Sequence, residues 1–346
     1  MPEAGKKVIV TGGAGYIGSH TVVELFHAGY EPIVIDNFVN AERSAINGIE
    51  RIINASVRLY EGDCGDRRLL EKLLEQEGAI EGIIHFAAFK AVGESVQKPL
   101  KYYQNNLGTL VTLLQLMGEK QVPHLVFSSS CTVYGQPDVL PVTEQSPKKT
   151  AESPYGNTKQ ICEEIIEDTV KSQLKLKAIA LRYFNPIGAH PSAAIGELPL
   201  GTPNNLVPFV TQTAAGLREK ITVFGDDYDT PDGTCIRDYI HVVDLAKAHV
   251  SALRYLEGQT EESFFDVFNV GTGQGNSVLD VIKTFEEVNG VKLNYTLGKR
   301  RSGDIEKVYA DVTKSNQELG WTSELSLADG LRDSWRWQQS LKKQSL

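Results

Sequence analysis

Short apolar runs alternate with amphipathic stretches through the first half of the chain. Residues 7–11 are a continuous apolar run, and residues 16–27 carry helical spacing that stops at Gly29, where a glycine ends helices well. Residues 32–36 are again apolar, followed by a helical pattern over 41–53 and a strand over 57–61. Three more short runs occur at 83–87, 124–129 and 176–183, separated by helical stretches, the last of which covers 155–173. Runs apolar on both faces fit strands buried inside a parallel sheet. Their alternation with helices predicts an α/β protein built on a doubly wound parallel sheet.

The texture changes after Tyr183. Residues 185–232 are rich in proline and glycine, including Pro191, Gly196, Pro199, Gly201, Pro203 and Pro208, and predict loops around a short helix at 206–217. A strand at 236–242 leads into a helix ending near 256, and 264–270 is another apolar strand. Segments at 280–287, 293–297 and 325–342 suit a smaller C-terminal α/β lobe. The implied division puts 1–184 and 237–268 in a nucleotide-binding domain, and 185–236 and 269–346 in a substrate-binding domain.

Composition narrows the possibilities. A chain of 346 residues with 41% hydrophobic and 23% charged positions can bury a full core. Its formal net charge of −9 offers no global attraction to nucleic acid or to an anionic membrane. Neither is expected as a partner. Cys64, Cys131, Cys162 and Cys235 show no metal-ligand spacing, so no metal is expected and reduced thiols are. With no signal-peptide-like or membrane-spanning run, a cytoplasmic location is expected.

The first strand leads into Thr11-Gly12-Gly13-Ala14-Gly15-Tyr16-Ile17-Gly18. Gly12, Gly15 and Gly18 allow a tight turn and close approach of backbone N–H groups to a pyrophosphate at the helix start. Asp36 closes the second strand about 18 residues later, where a carboxylate accepts bonds from an adenine ribose. A carboxylate there repels a 2′-phosphate, so the cofactor expected is NAD. Asp63, at the end of the third strand, is either an adenine neighbour or a loop cap.

Ser153-Pro154-Tyr155-Gly156-Asn157-Thr158-Lys159 carries the candidate chemistry. Ser153 is a good N-cap and Pro154 a good first helical residue. Tyr155 and Lys159 then stand one turn apart on one face. A phenol with a pKa near ~10 must move about 3 units, roughly 4 kcal/mol, to act as a base at neutrality. A neighbouring ammonium and a cationic nicotinamide are the expected sources. Ser128, Ser129 and Ser130 end the fifth strand and Thr132 follows. Ser130 is the expected proton-sharing hydroxyl, with Thr132 supporting it, because ligands of such sheets bind beyond the carboxyl ends of the strands.

With these motifs in view, the chain resembles the extended short-chain dehydrogenase/reductases, which have a Rossmann fold, and among them the UDP-glucose 4-epimerase family. The likeness runs from Lys7 to about Trp335. It rests on residues 11–20, Asp36-Asn37-Phe38, Lys90-Ala91-Val92-Gly93-Glu94-Ser95, Thr132-Val133-Tyr134-Gly135, Arg182-Tyr183-Phe184-Asn185-Pro186, Asn204-Asn205-Leu206 and Arg237-Asp238-Tyr239-Ile240-His241. The resemblance implies Tyr155 as base, Lys159 on the nicotinamide ribose and Ser130 assisting. It places Gly12, Gly15, Tyr16, Ile17, Gly18, Asp36, Asn37, Asp63, Cys64, Phe86, Lys90, Asn105, Ser130, Tyr155, Lys159 and Tyr183 on NAD. It places Lys90, Ser130, Thr132, Tyr155, Phe184, Asn185, Asn204, Asn205, Leu206, Thr222, Phe224, Arg237, Tyr239, Arg301, Asp304 and Val308 around a UDP-sugar. Two arginines suit a pyrophosphate, Phe224 a uracil face and Asp304 the ribose hydroxyls. Ala88-Phe89 stands where Gly-Leu is usual, Cys131 where Ala is common, and Ile187 where Thr is usual.

The activity implied is reversible inversion at carbon 4 of a UDP-hexose through a 4-keto sugar, a step of galactose metabolism. A 4,6-dehydratase would need Asp-Glu directly after Thr132, where Val133-Tyr134 stands. A simple dehydrogenase would need free cofactor exchange. A redox-sensing NAD-binding protein would have no use for Ser130, Tyr155 and Lys159 together. The family also implies a homodimer, joined by helices at 95–117 and 155–173. Val308 is the implied gate for sugars: smaller than tyrosine, it should leave room for a 2-acetamido group, although it could equally be a strand residue packed under Tyr309.

Overall fold

The computed structural model describes residues 5–172, 175–301 and 304–344. The expected helix end at residue 173 and the Ser302-Gly303 pair lie outside the described residues. In chain order the first half comprises β1 (Lys7–Thr11), α1 (Tyr16–His27), β2 (Glu31–Asp36), α2 (Ser44–Ile53), β3 (Arg58–Glu61), α3 (Arg67–Glu77) and β4 (Gly82–His85). Next come α4 (Val92–Gln97), α5 (Pro99–Lys120), β5 (His124–Ser128), a 3-10 turn (Cys131–Tyr134), α6 (Pro154–Lys171) and β6 (Lys177–Tyr183). The second half adds β7 (Asn185–Ile187), α7 (Leu206–Ala214), β8 (Ile221–Phe224), β9 (Ile236–His241), α8 (Val242–Gly258) and β10 (Phe264–Val270). It closes with β11 (Gly275–Ser277), α9 (Val278–Asn289), β12 (Tyr295–Gly298), β13 (Lys307–Val308), α10 (Thr313–Glu318) and α11 (Leu327–Gln344).

Seven parallel strands form the main sheet in the order β10-β6-β5-β4-β1-β2-β3. The alternation within each strand explains its two covered faces. Val8, Val10, Val34, Ile84 and Val126 point into one core with residues of α1, α2 and α8. Ile9, Ile33, Ile35, Ile83, Leu125 and Phe127 point into the other, with residues of α3, α5 and α6. The strand order reverses between β1 and β4, and their carboxyl ends open the crevice where such folds bind ligands.

The lobe has its own core of Val207, Val210, Val223, Tyr239, Ile282, Phe285 and Leu331. Its main sheet is made by β9 with β7, β11 and β13, while β8 pairs with β12. Two boundaries differ from the division read along the chain. By hydrogen bonding β9 sits in the lobe, although Ile240 packs in the main core and Tyr239 in the lobe core. Conversely, Leu319 and Trp321 return from the C-terminal segment to the main core. Apolar runs mark burial, but not which of two adjoining sheets receives the strand. Among the described residues no helix is long and apolar enough to cross a membrane.

Candidate active site

Helix α6 begins as its sequence dictates. Ser153 is extended, its side chain accepts from the Gly156 N–H at 3.2 Å, and Pro154 opens the helix. That start delivers Tyr155 and Lys159, 9% and 4% exposed, to the carboxyl end of β5. Lys159 Nζ donates to the Ser128 carbonyl and lies 4.7 Å from the Phe127 ring centroid and 6.0 Å from that of Tyr155.

The two titrating groups do not behave as the isolated pair implied. Burial holds the Tyr155 phenol well above its ordinary value, with Tyr183 and Cys131 adding to the rise and a hydrogen bond from Ser130 opposing it. Burial also pulls the Lys159 amine down to about 8, partly opposed by Cys162 and Glu163. Desolvation is the largest cause in both, and each group is pushed toward its neutral form. The chain's own groups favour the protonated form of Tyr155, and a further positive charge beside it would favour the phenolate.

The three serines separate cleanly. Ser128 Oγ pairs with the Tyr183 hydroxyl at 2.6 Å, and Ser129 Oγ donates to Glu163 Oε1 at 2.6 Å. Ser130 Oγ accepts from Thr132 N at 3.2 Å, capping the 3-10 turn, and its hydroxyl lowers both the Tyr155 phenol and the Cys131 thiol. Thr132 Oγ1 is buried with no hydrogen-bond partner among the described residues.

The glycine loop fits a dinucleotide. Gly12 has φ +69°, and a Cβ there would lie 2.9 Å from Ala87 N. A Cβ on Gly18 would lie 2.2 Å from the Gly12 carbonyl oxygen. Gly15 caps α1 with no side chain over its N–H groups, leaving the positive helix end open to an anion. Tyr16 is anchored by its hydroxyl to the Gly188 carbonyl, and half-buried Ile17 packs on the main core. Asp36 is 8% exposed and accepts from Ala14 N and Phe38 N at 3.0 and 2.9 Å. Burial raises its carboxyl, and those two bonds counter the rise.

Asn37 donates to Asp63 at 3.2 Å, and Asp63 also accepts from Gly65 N, so Asp63 is both loop cap and neighbour of Asp36-Asn37. Burial pushes the Cys64 thiol up to about 12. Phe86 packs on His249 with ring centroids 4.6 Å apart, and Asn105 donates to Asn106.

The further residues assigned to a UDP-sugar occupy four places. Phe184 and Val308 are buried with Val133, Tyr134, Val142 and Ala310 behind the 3-10 turn. Asn185 and Tyr239 are paired across β7 and β9, and Arg237 lies two residues before Tyr239 on β9, within electrostatic reach of Cys131. Its guanidinium is held by the carbonyls of Ile236 and Glu306. Thr222 and Phe224 share the exposed face of β8, where the Arg301 guanidinium lies 5.9 Å from the Phe224 ring. Arg301 is bound to Asp304 at 2.6 Å, so these two side chains form one unit. Asn204 is exposed, Leu206 half-buried, and Asn205 donates to Glu197 at 2.6 Å.

Three supporting residues were given no role by the sequence. Asp238 is fully buried and accepts from Thr272, Gly273 and Ala310, which fixes β9. Glu197 lies between Asn205 and Lys90, whose ammonium is 3.9 Å away. His85, pulled down to about 3 by burial, bonds Thr11 Oγ1 at 2.7 Å and stacks on Phe127 beneath Lys159. Each lies in a stretch whose pattern reports only burial or a loop.

Sheet, glycine turn and tyrosine–lysine helix together define an enzyme of the extended short-chain dehydrogenase/reductase class. Residues 9–334 match the family described as GDP-mannose 4,6 dehydratase. A UDP-glucose 4-epimerase of Haemophilus influenzae is 48% identical, with 97% of this chain and 98% of that protein aligned. Among solved structures, the UDP-glucose 4-epimerase of Bifidobacterium longum in complex with NAD+ and UDP is 45% identical, with a TM-score of 0.92 over 97% of this chain and 98% of that one. The Stenotrophomonas maltophila enzyme, with bound NAD and formylated UDP-arabinopyranose, has a TM-score of 0.94 at 45% identity, covering 98% and 99%. The chain belongs to that dehydratase-named family and, within it, to the UDP-glucose 4-epimerases.

Proposed function

We propose that the chain interconverts UDP-galactose and UDP-glucose, a reaction of galactose metabolism, with Tyr155 as the proton-transfer group and Ser130 and Lys159 as its partners. The observation that carries this assignment is the burial of all three at the carboxyl end of β5, where Ser128 and Ser129 are bound to Tyr183 and Glu163 and Ser130 acts on the phenol. Bound NAD supplies the acceptor and donor of the carbon-4 hydride, and a positive charge that favours the Tyr155 phenolate. Gly12, Gly15 and Gly18 hold its pyrophosphate and Asp36 its adenine ribose. Tyr155 takes the 4-hydroxyl proton, Ser130 bonds the same oxygen, and the proton is returned after the 4-keto sugar has turned over. Lys159 orients the nicotinamide ribose. Arg237 and Arg301 hold the nucleotide end, leaving the sugar free to rotate, with Asp304 positioning Arg301 as well as meeting ribose.

Val133 and Tyr134 follow Thr132 and are fully buried, so the site offers no acid–base pair for dehydration, despite the name of the matching family. Incubating the protein with UDP-galactose and NAD should give an equilibrium mixture with UDP-glucose. Loss of water from the sugar would favour the dehydratase reading, and no turnover with NAD bound would favour a sensor.

Val308, 3% exposed against Phe184 and Tyr134, stands as the gate for a 2-acetamido group. UDP-N-acetylglucosamine should be a second substrate. Val308→Tyr, which adds a phenol ring at this position, should spare the plain hexose reaction and lower acetamido turnover by at least about tenfold. Equal rates on both sugars in that protein would remove Val308 as the gate.

A homodimer joined through α5 and α6 accounts for the exposed Val92, Val96, Leu100 and Val111 on α4 and α5. Cys162 and Ile166 of α6 are committed to the chain's own core instead. A dimer mass in solution at micromolar protein is the expected result, and a monomer would refute it.

A further inference from the structure

We infer that Glu163 is a positioning residue for the reaction: through Ser129 it fixes residues 128–130, and with them the Ser130 hydroxyl, against the helix that carries Tyr155 and Lys159. This rests on the roles proposed above for those three residues. Glu163 follows Lys159 by one turn of α6, on the same face. It is fully buried, and every contact is short. Oε1 accepts from Ser129 Oγ at 2.6 Å and from Arg182 Nε at 2.9 Å. Oε2 meets Arg182 Nη2 at 2.7 Å and Lys148 Nζ at 2.9 Å.

Arg182 carries the connection onward. It stands on β6, one residue beyond Leu181, the partner of Ser128 in the sheet. Its Nη1 donates to the Tyr134 hydroxyl at 3.0 Å, which donates in turn to Asn269 Oδ1 at 2.6 Å on β10. One buried network thus joins the catalytic helix, the end of β5, the turn that Ser130 caps and the strand at the sheet edge. A buried ion pair is weak evidence for stability, because desolvation offsets much of its attraction. Placement between the two halves of a catalytic group is a more specific use: a displacement of about 1 Å there can cost ~100-fold in rate.

The charge on Glu163 also settles the hydroxyl directions. Burial pushes its carboxyl up, but the hydrogen bonds and charge of Arg182 outweigh that, with Lys148 and Ser129 adding, and it stays below its ordinary value. An ionised carboxylate only accepts, so Ser129 must donate to it and has no hydrogen left for Tyr155. Ser130 is left as the one hydroxyl of the row directed to the reaction.

Ser129→Ala removes this tether without touching the ion pair. Its kcat should fall about tenfold with KM for UDP-galactose within about twofold, the pattern of an interaction made in the transition state. Because the Ser130 bond lowers the phenol, the rise of kcat with pH should also move to higher pH. Ser129→Thr, which keeps the hydroxyl, should restore both within about twofold. Glu163→Gln should lower kcat in the same way and the melting temperature as well. Wild-type kcat and pH profile in Ser129→Ala, beside an inactive Tyr155→Phe protein, would overturn the inference alone. An active Tyr155→Phe protein would overturn the reading beneath it.

Discussion

A Tyr155→Phe protein should fold, keep its affinity for NAD and lose about a thousandfold in kcat, within the ~100- to 10,000-fold range of a positioned acid–base group. The substitution keeps the ring, which is 9% exposed at the start of α6, and removes only the hydroxyl that Ser130 bonds. Ser130, still tied to the Thr132 N–H at 3.2 Å, is left with no phenol to pass the proton on to. Initial rates of UDP-glucose formation, with a melting curve and an NAD titration on the same sample, separate loss of chemistry from loss of structure. Near-normal turnover would contradict the assignment of the base.

The second large effect lies in the turn. Gly18→Ala places a methyl 2.2 Å from the Gly12 carbonyl oxygen and 2.9 Å from Gly13 Cα. Both are backbone atoms that no side-chain rotation can clear, so the loop must open or the helix must shift. NAD affinity should fall by at least about 100-fold, close to 3 kcal/mol, read by calorimetric titration. Gly258→Ala, with nothing within 4 Å of the new methyl, should bind NAD like the wild type. Wild-type affinity in Gly18→Ala would mean that this turn does not hold the cofactor.

The strands, the glycine turn and the start of α6 could be read from the chain because local chemistry fixes them. Val8-Ile9-Val10 is apolar on both faces, and Ser153-Pro154 is a capping pair whatever surrounds it. The phenol's titration could not be read in this way. Spacing places Tyr155 and Lys159 on one face, but not how deeply. Burial reverses the expected direction for Tyr155 and commits Lys159 to the Ser128 carbonyl. The division of labour among three adjacent serines was equally hidden, because it depends on Tyr183 and Glu163 reaching them from other elements. Strand β9 shows the same limit at the level of the fold: Tyr239 and Ile240 are neighbours in sequence yet pack in different cores.

The central claim is that carbon 4 is oxidised and reduced again in one binding event, with Tyr155 moving the proton. UDP-galactose labelled with deuterium at carbon 4, incubated with NAD equal in concentration to the protein, tests this directly. The expected product is UDP-glucose with the deuterium still at carbon 4, formed over many turnovers and without accumulating NADH. Loss of the label to solvent, or one NADH formed for each sugar consumed, would contradict it.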